Sequence, residues 1–111
     1  MNARLASGLW VSAYLKRLGL AAIPAYVMAH GDDTAGAVLV KLSLLDGTAR
    51  AYQRGYDLHT DARIWQVLTD GPEHEVDAVI ARQRAVDPDL WVIEVEDPRG
   101  RHLLDEEGLS D

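Results

Sequence analysis

The sequence contains no cysteine. Disulfide bonds, thiol nucleophiles, iron–sulfur clusters and cysteine-ligated zinc sites are therefore excluded. Any metal site would have to use histidine and carboxylate ligands. A chain without thiols also suits a reducing compartment, so we expect a cytoplasmic protein.

Long apolar runs are missing as well. The most apolar region, Leu5 to Met28, is interrupted by Lys16, Arg17, Gly19 and Pro24. A helix that spans a membrane needs about 20 consecutive apolar residues. The same interruptions do not fit the pattern of a secretory signal peptide. We therefore expect no membrane association.

Basic residues are few, since 11 Lys and Arg stand against 18 Asp and Glu and the formal net charge is -7. Such a surface repels phosphates, so a nucleic acid partner is not expected. The rest of the composition, 48% hydrophobic and 26% charged, is typical of a globular protein. A chain of 111 residues can bury one hydrophobic core, and we predict a single domain over residues 1–111.

Common catalytic and cofactor motifs are also absent. There is no Walker motif, no G-x-G-x-x-G after a strand, no G-x-S-x-G and no HExxH. An acetyltransferase-like arrangement would need a basic, glycine-rich loop before the second helix, whereas residues 69–75 read TDGPEHE. We therefore predict no catalytic residue and no cofactor.

What the sequence does contain is the periodicity of two helices. Apolar residues at helical spacing from Val11 to Ala22 predict a first helix that begins near Ser7. Gly19 is suited to end it in the left-handed conformation. The second helix should begin at Pro72 and stop before Pro88, because proline disfavours helical geometry in the preceding residue. Its apolar stripe consists of Val76, Val79, Ile80 and Val86.

Five segments predict strands: residues 23–30, 38–45, 48–54, 63–69 and 90–96. Alternation in the second segment predicts one buried face, and Asp46-Gly47 after it predicts a type I′ hairpin turn. The fold class is α+β: a mostly antiparallel sheet of about five strands, connected as a meander, with two helices packed on one face, in the order α-β-β-β-β-α-β. Pro98 to Gly100 should form a turn, and residues 105–111 should fray.

Two glutamates give the strongest hint of chemistry. Glu94 and Glu96 point to the same face of their strand, about 7 Å apart, and could hold a divalent cation or act as an acid–base pair. His102 or Asp105 could join them in space. The competing interpretation is an ordinary half-buried strand whose glutamates face water or pair with arginines, and many antiparallel strands have that pattern.

Two histidine-containing loops offer fewer ligands. His30 with Asp32 and Asp33, or His59 with Asp61, supplies at most two ligand groups from one loop. A catalytic zinc ion needs three protein ligands. Solvated turns explain these residues more simply.

The stretch ARQRAVDPDLW offers a binding surface. Arg82 and Arg84 lie near the end of the second predicted helix, with Asp87 and Trp91 close behind. Arginine and tryptophan are frequent at the energetic centres of protein interfaces. The alternative is a favourable charge at the helix end and a tryptophan in the core.

Three stretches, RLASGLWVSAYLKRL, GAVLVKLSLLDGTA and IARQRAVDPDLWVIEVEDPRGRHLLDE, together resemble the bacterial family called domain of unknown function 1491. The resemblance spans nearly the whole chain, and the last stretch is the most specific. It implies a cytosolic bacterial protein. It implies no activity, cofactor or functional residue.

These observations favour a small cytosolic binding or adaptor module for a protein or small ligand. It would use the sheet edge or the region of Arg82, Arg84, Asp87 and Trp91. One alternative is a small carboxylate enzyme or divalent-metal-binding protein that uses Glu94, Glu96 and His102. A second alternative is a structural protein that self-associates into a homo-oligomer.

Overall fold

The computed structural model describes residues 5–110, and residues 1–4 and 111 lie outside the described part. Two helices and five strands follow one another as α1 Ser7–Leu20, β1 Ala25–Ala29, β2 Val38–Ser43, β3 Thr48–Asp57, β4 Ala62–Pro72, α2 Glu73–Val86 and β5 Trp91–Glu96. The predicted α+β class and the order of the elements are confirmed. No helix among the described residues is long and apolar enough to cross a membrane.

The five strands form one mixed sheet in the order β1-β5-β2-β3-β4. β5 lies between β1 and β2, antiparallel to β1 and parallel to β2, whereas the remaining pairs are antiparallel. The predicted meander is therefore wrong at β5. Parallel neighbours need a crossover, and α2 belongs to the connection that carries the chain back across the sheet.

The helices lie on opposite faces of the sheet, so their predicted placement on one face is wrong. Tyr14 and Leu18 of α1 share a core with Val40 of β2. Val76 and Ile80 of α2 share a second core with the neighbouring Leu39. Consecutive strand residues point to opposite faces. Strand β2 is buried on both faces and has apolar residues on each, so each face must be covered.

The end of α1 also differs from the prediction. The left-handed residue is Ala22, with φ 59°, and Gly19 lies within the helix. The N–H of Ile23 donates to the carbonyl of Leu18 (2.9 Å), and the N–H of Ala22 donates to that of Gly19 (3.0 Å). These two bonds form a Schellman motif, which satisfies carbonyls at the helix end.

The connection between β2 and β3 is a four-residue loop rather than the predicted two-residue turn. Positive φ values occur at Leu45 (61°) and Gly47 (88°), not at Asp46. The carbonyl of Gly47 accepts the N–H of Glu73 at 2.9 Å. The loop therefore supplies a partner for the first N–H of α2, which no bond within the helix can satisfy.

The segment after β5 folds back over the α1 side of the sheet. Leu104 and Leu109 are buried there beside residues of α1. The indole Nε1 of Trp65 donates to the carbonyl of Leu109 at 2.9 Å. The predicted fraying of residues 105–111 does not agree with the burial of Leu109, and residue 111 lies outside the described part.

Candidate functional site

Glu94 belongs to a charged cluster centred on a lysine. The ammonium Nζ of Lys41 lies 2.8 Å from a carboxylate oxygen of Glu73, 2.7 Å from Asp77 and 3.1 Å from Glu94. Register brings the charges together, because Lys41 of β2 is directly paired with Glu94 of the parallel β5. Glu73 and Asp77 come from the first turns of α2, four residues apart on one side of the helix.

The lysine side chain is only 7% exposed. Burial by itself lowers the pKa of Lys41, but hydrogen bonds to Asp77, Glu73 and Glu94 outweigh burial and raise that pKa above its ordinary value. The ammonium group therefore stays charged throughout the physiological range. Its chemistry is that of an ion-paired clamp between α2 and the centre of the sheet, not of a nucleophile or a base, since both need a free electron pair.

Glu96 lies on the same face of β5 as Glu94, but it contacts a tyrosine and not Lys41. It accepts a hydrogen bond from the hydroxyl of Tyr26, and the charge of Glu96 together with that bond raises the pKa of Tyr26. His102 lies on the other side of the sheet, where its ring is 4.7 Å from that of Tyr52, a residue of the α1-side core. The structure therefore does not bring His102 together with Glu94 and Glu96.

The other histidine-containing loops behave as turns. The carboxylate of Asp32 accepts the N–H groups of Thr34 (3.1 Å) and Ala35 (2.8 Å), and His30 and Asp33 are exposed. Asp61 accepts the hydroxyl of Tyr56 in the β3–β4 hairpin. Within residues 5–110, no three histidine or acidic side chains form a group that could hold a metal ion.

The residues Arg82, Arg84, Asp87 and Trp91 do not form one exposed surface. Arg82 is exposed, whereas Arg84 is half-buried and donates from Nη2 to the carbonyl of His30 at 3.2 Å. The carboxylate of Asp87 accepts the N–H of Asp89 at 3.1 Å. Trp91 is buried in the α1-side core, and its Nε1 donates to the carbonyl of Asp32 at 2.8 Å.

The most unusual exposed surface is the outer edge of the sheet at β1. Three consecutive residues with large, mainly apolar side chains are exposed there: Tyr26 (50%), Val27 (41%) and Met28 (60%). β1 carries no charged residue and pairs only with β5 within the described part of the chain. The pairing register shifts between Val27 and Ala29, so the regular part of this edge is short.

A groove of about 610 Å³, open to solvent, lies on the α1 side near the opposite edge of the sheet. Its lining comes from β3, the start of β4 and the segment after β5: Tyr52, Arg63, Ile64, Trp65, His102 and Asp105. The hydroxyl of the buried Tyr14 donates to the carbonyl of His102 at 2.8 Å, which holds the histidine backbone in place.

Beside the groove, an arginine lies against two tryptophans. The guanidinium carbon of Arg54 is 4.1 Å from the ring centre of Trp65 and 5.9 Å from that of Trp10. Arg54 donates to the carbonyls of Ser110 (2.7 Å) and Leu109 (3.2 Å). Stacking and hydrogen bonds together hold the end of the described chain against β3 and β4.

Sequence reasoning missed the Lys41 cluster and the groove. The available signal for the cluster was a single lysine in the apolar run VLVKLS, because a charge inside a strand buried on both faces needs a partner. No local signal marked the groove, since its walls are distant in sequence.

Comparison with known proteins gives a family but no activity. The sequence model described as "Protein of unknown function (DUF1491)" matches residues 5–105. No curated protein matches the chain.

Three solved structures are similar over most of their length. A crystal structure of a DUF1491 family protein from Caulobacter crescentus is 38% identical, with a TM-score of 0.80 over 92% of this chain and 94% of that one. An NMR structure of a DUF1491 family protein from Caulobacter crescentus is 37% identical (TM-score 0.79, 95% and 96% covered). The solution structure of protein Atu0922 from A. tumefaciens is 30% identical (TM-score 0.71, 85% and 86% covered).

Proposed function

We propose that this chain, which belongs to the DUF1491 family of proteins of unknown function, is an adaptor that binds a protein segment by strand addition at β1. The observation that carries the proposal is the exposure of three consecutive apolar residues on an uncharged edge strand. An edge strand presents unpaired N–H and C=O groups, and natural sheets usually protect such edges with charged residues. The other edge strand, β4, contains Arg63 and Asp70.

The charges beside β1 favour a basic partner. On the α2 side, Glu94 and Glu96 lie on the adjacent strand, and Glu73 and Asp77 lie beyond them. Lys41 is the cation that pairs with Glu73, Asp77 and Glu94, whereas Glu96 bonds to Tyr26 of β1 itself. On the α1 side, Val27 is apolar and only partly covered. An added strand alternates its side chains between the two faces. We therefore expect an extended segment in which lysine or arginine alternates with apolar residues.

The proposal places the adaptor in the cytoplasm of a bacterium, a reducing compartment that suits a chain without cysteine. Electrostatic attraction between the acidic protein and a basic segment should speed association and should weaken as salt is added.

Two synthetic peptides of equal length, one alternating Lys and Val and the other alternating Glu and Val, test the idea. We expect the Lys peptide to shift the amide resonances of residues 25–29 and the Glu peptide to leave them unchanged. Val27→Lys places a charge on the edge and should abolish binding. Val67→Lys is the matched control, because Val67 is 51% exposed on the opposite edge strand.

Equal binding of the Lys peptide to both lysine variants would contradict the proposal, as would shifts that map to β4. A second copy of the chain is the other possible partner of the β1 edge, and sedimentation equilibrium of the protein alone tests for it. If wild type forms a dimer and Val27→Lys a monomer, the edge pairs with a second copy of the chain, and the structural, self-associating role replaces the adaptor.

A further inference from the structure

We propose that the groove between β4 and the segment after β5 is a binding site for a small planar carboxylic acid. The site is independent of the β1 edge, which lies at the other end of the strand order. Its volume of about 610 Å³ is within the range of small-molecule sites in proteins.

The first element of the site is a hydrogen-bond donor whose orientation is set by the backbone. The N–H of Leu104 donates to Nδ1 of His102 at 2.9 Å, so Nδ1 carries no proton. In the neutral ring, Nε2 must then carry it. Within residues 5–110, Nε2 makes no hydrogen bond, and His102 lines the groove, so an acceptor on a ligand can complete the ring's hydrogen bonding.

The ring is held in this state by its surroundings. Burial lowers the pKa of His102, the charge of Asp105 raises it and that of Arg50 lowers it, with a net decrease from 6.5. His102 is therefore neutral near pH 7 and acts as a fixed N–H donor.

The second element is an apolar and aromatic wall. Tyr52, Ile64 and Trp65 line the groove, and the ring of Trp65 is backed by Arg54 on one side. Flat ligands gain from stacking on such rings, and apolar area supplies most of the affinity in sites of this kind. A planar ligand body therefore fits better than a flexible polar chain.

The third element is the charge at the groove. Arg63 lines it, and its guanidinium group has five donors, so it can keep its existing interaction within the protein and still bind a ligand oxygen. Asp105 is the opposing carboxylate in the lining, and Arg50 acts on the groove through its effect on His102. The lining thus offers two donors, the guanidinium group of Arg63 and the Nε2–H of His102, and a ligand carboxylate has an acceptor oxygen for each, which favours it over a neutral acceptor.

NMR titration of the full chain with benzoate, and with benzamide as its neutral analogue, tests the site. We expect benzoate to shift resonances of the groove residues, to bind more tightly than benzamide, and to raise the pKa of His102, since a bound anion favours the imidazolium form. His102→Phe keeps a ring over Tyr52 but removes the donor, and should weaken benzoate binding at least about tenfold, as loss of a hydrogen bond to a charged group does. His59→Phe, in the exposed hairpin, is the control.

Arg63→Gln should weaken benzoate binding but leave benzamide binding unchanged. Three results would overturn the proposal: benzoate shifts that map outside the groove, equal benzoate affinity in wild type and His102→Phe, or a wild-type His102 titration that benzoate does not move. The last measurement needs no variant, so a folding defect in His102→Phe cannot hide the answer.

Discussion

At the scale of single residues, Lys41 is a buried charge within the sheet. It places a charge at the middle of a central strand, where an unpaired charge would be strongly unfavourable. Three carboxylates compensate it, and they in turn depend on it, because Glu94 is itself largely buried. A buried ion pair is weak evidence for net stabilisation, but removal of one partner leaves the other uncompensated.

We therefore expect Lys41→Met to lower the free energy of unfolding by about 3 kcal/mol, near the lower end for a broken buried pair because Glu73 and Asp77 remain partly exposed. Urea denaturation measures the loss. Adding Glu94→Gln should recover part of it, since the buried unpaired carboxylate is gone. Lys16→Met, on the exposed side of α1, is the control, and an equal loss in both single variants would refute this account.

At the scale of secondary structure elements, the end of α1 contains a correctable strain. Ala22 occupies a left-handed position at which glycine has no steric cost. We expect Ala22→Gly to raise the free energy of unfolding by roughly 0.5–1 kcal/mol, after the greater freedom of glycine in the unfolded chain is subtracted.

The neighbouring Ala21, with φ -90°, provides the comparison. Ala21→Gly gains no relief of strain and should destabilise the protein. Thermal denaturation of the two variants side by side gives the difference, and a lower melting temperature for Ala22→Gly than for wild type would show that the Schellman motif is not strained.

The segment after β5 should behave as part of the core and not as a tail. Leu109 is 1% exposed, so Leu109→Ala should cost about 2–4 kcal/mol of unfolding free energy through lost burial and a new cavity. Leu58→Ala, in the β3–β4 hairpin where Leu58 is 86% exposed, should change it by less than about 0.5 kcal/mol. Both losses can be read from urea denaturation, and a loss in Leu109→Ala no larger than in Leu58→Ala would mean that the segment unfolds separately.

At the scale of the whole molecule, stability should depend on pH through His102. Its pKa is lower in the folded protein than the ordinary 6.5, so the unfolded chain takes up a proton first as pH falls. The contribution of His102 to the free energy of unfolding should therefore be fully present above pH 6.5. It should decrease as pH falls from 6.5 to the lower pKa of the folded state. His102→Gln should remove this part of the pH dependence in urea titrations between pH 7 and 5. An unchanged slope in that variant would assign the effect to other groups.

Asp97 adds a contribution at lower pH. Its buried carboxylate accepts the N–H and Nε of Arg101, and these bonds lower its pKa. The stabilisation from Asp97 is present above the ordinary carboxyl pKa of 3.8 and is lost as pH falls through the lower folded value. The contribution of Asp97 therefore starts to be lost at a lower pH than that of His102, which starts to be lost at pH 6.5.

The sequence was informative about elements and poor on how they are arranged. Helical periodicity, strand alternation and Pro88 are local signals, so the order of two helices and five strands could be predicted. The position of β5 between β1 and β2 depends on contacts distant in sequence, which alternation within one strand does not specify. The alternation in β2 was interpreted as one buried face, although its apolar residues lie on both faces and require two covering layers.

The candidate site illustrates the same limit. The sequence placed Glu94 on one face of its strand, but its partner Lys41 is set by strand register. His102 was grouped with the glutamates because it is close to them in sequence, and the turn after β5 takes it to the other side of the sheet. Which residues meet across a sheet follows from topology, and topology is not a local property.

The central position of β5 has a consequence for synthesis on the ribosome. Residues 91–96 fill the gap between β1 and β2, yet they are made after every other strand. Until they leave the ribosomal exit tunnel, the nascent chain has two unpaired strand edges and two half-formed cores, and such surfaces promote aggregation. We expect the sheet to be completed only after residue 96 has left the tunnel, so a ribosome stalled before residue 96 should hold a chain that proteases digest readily.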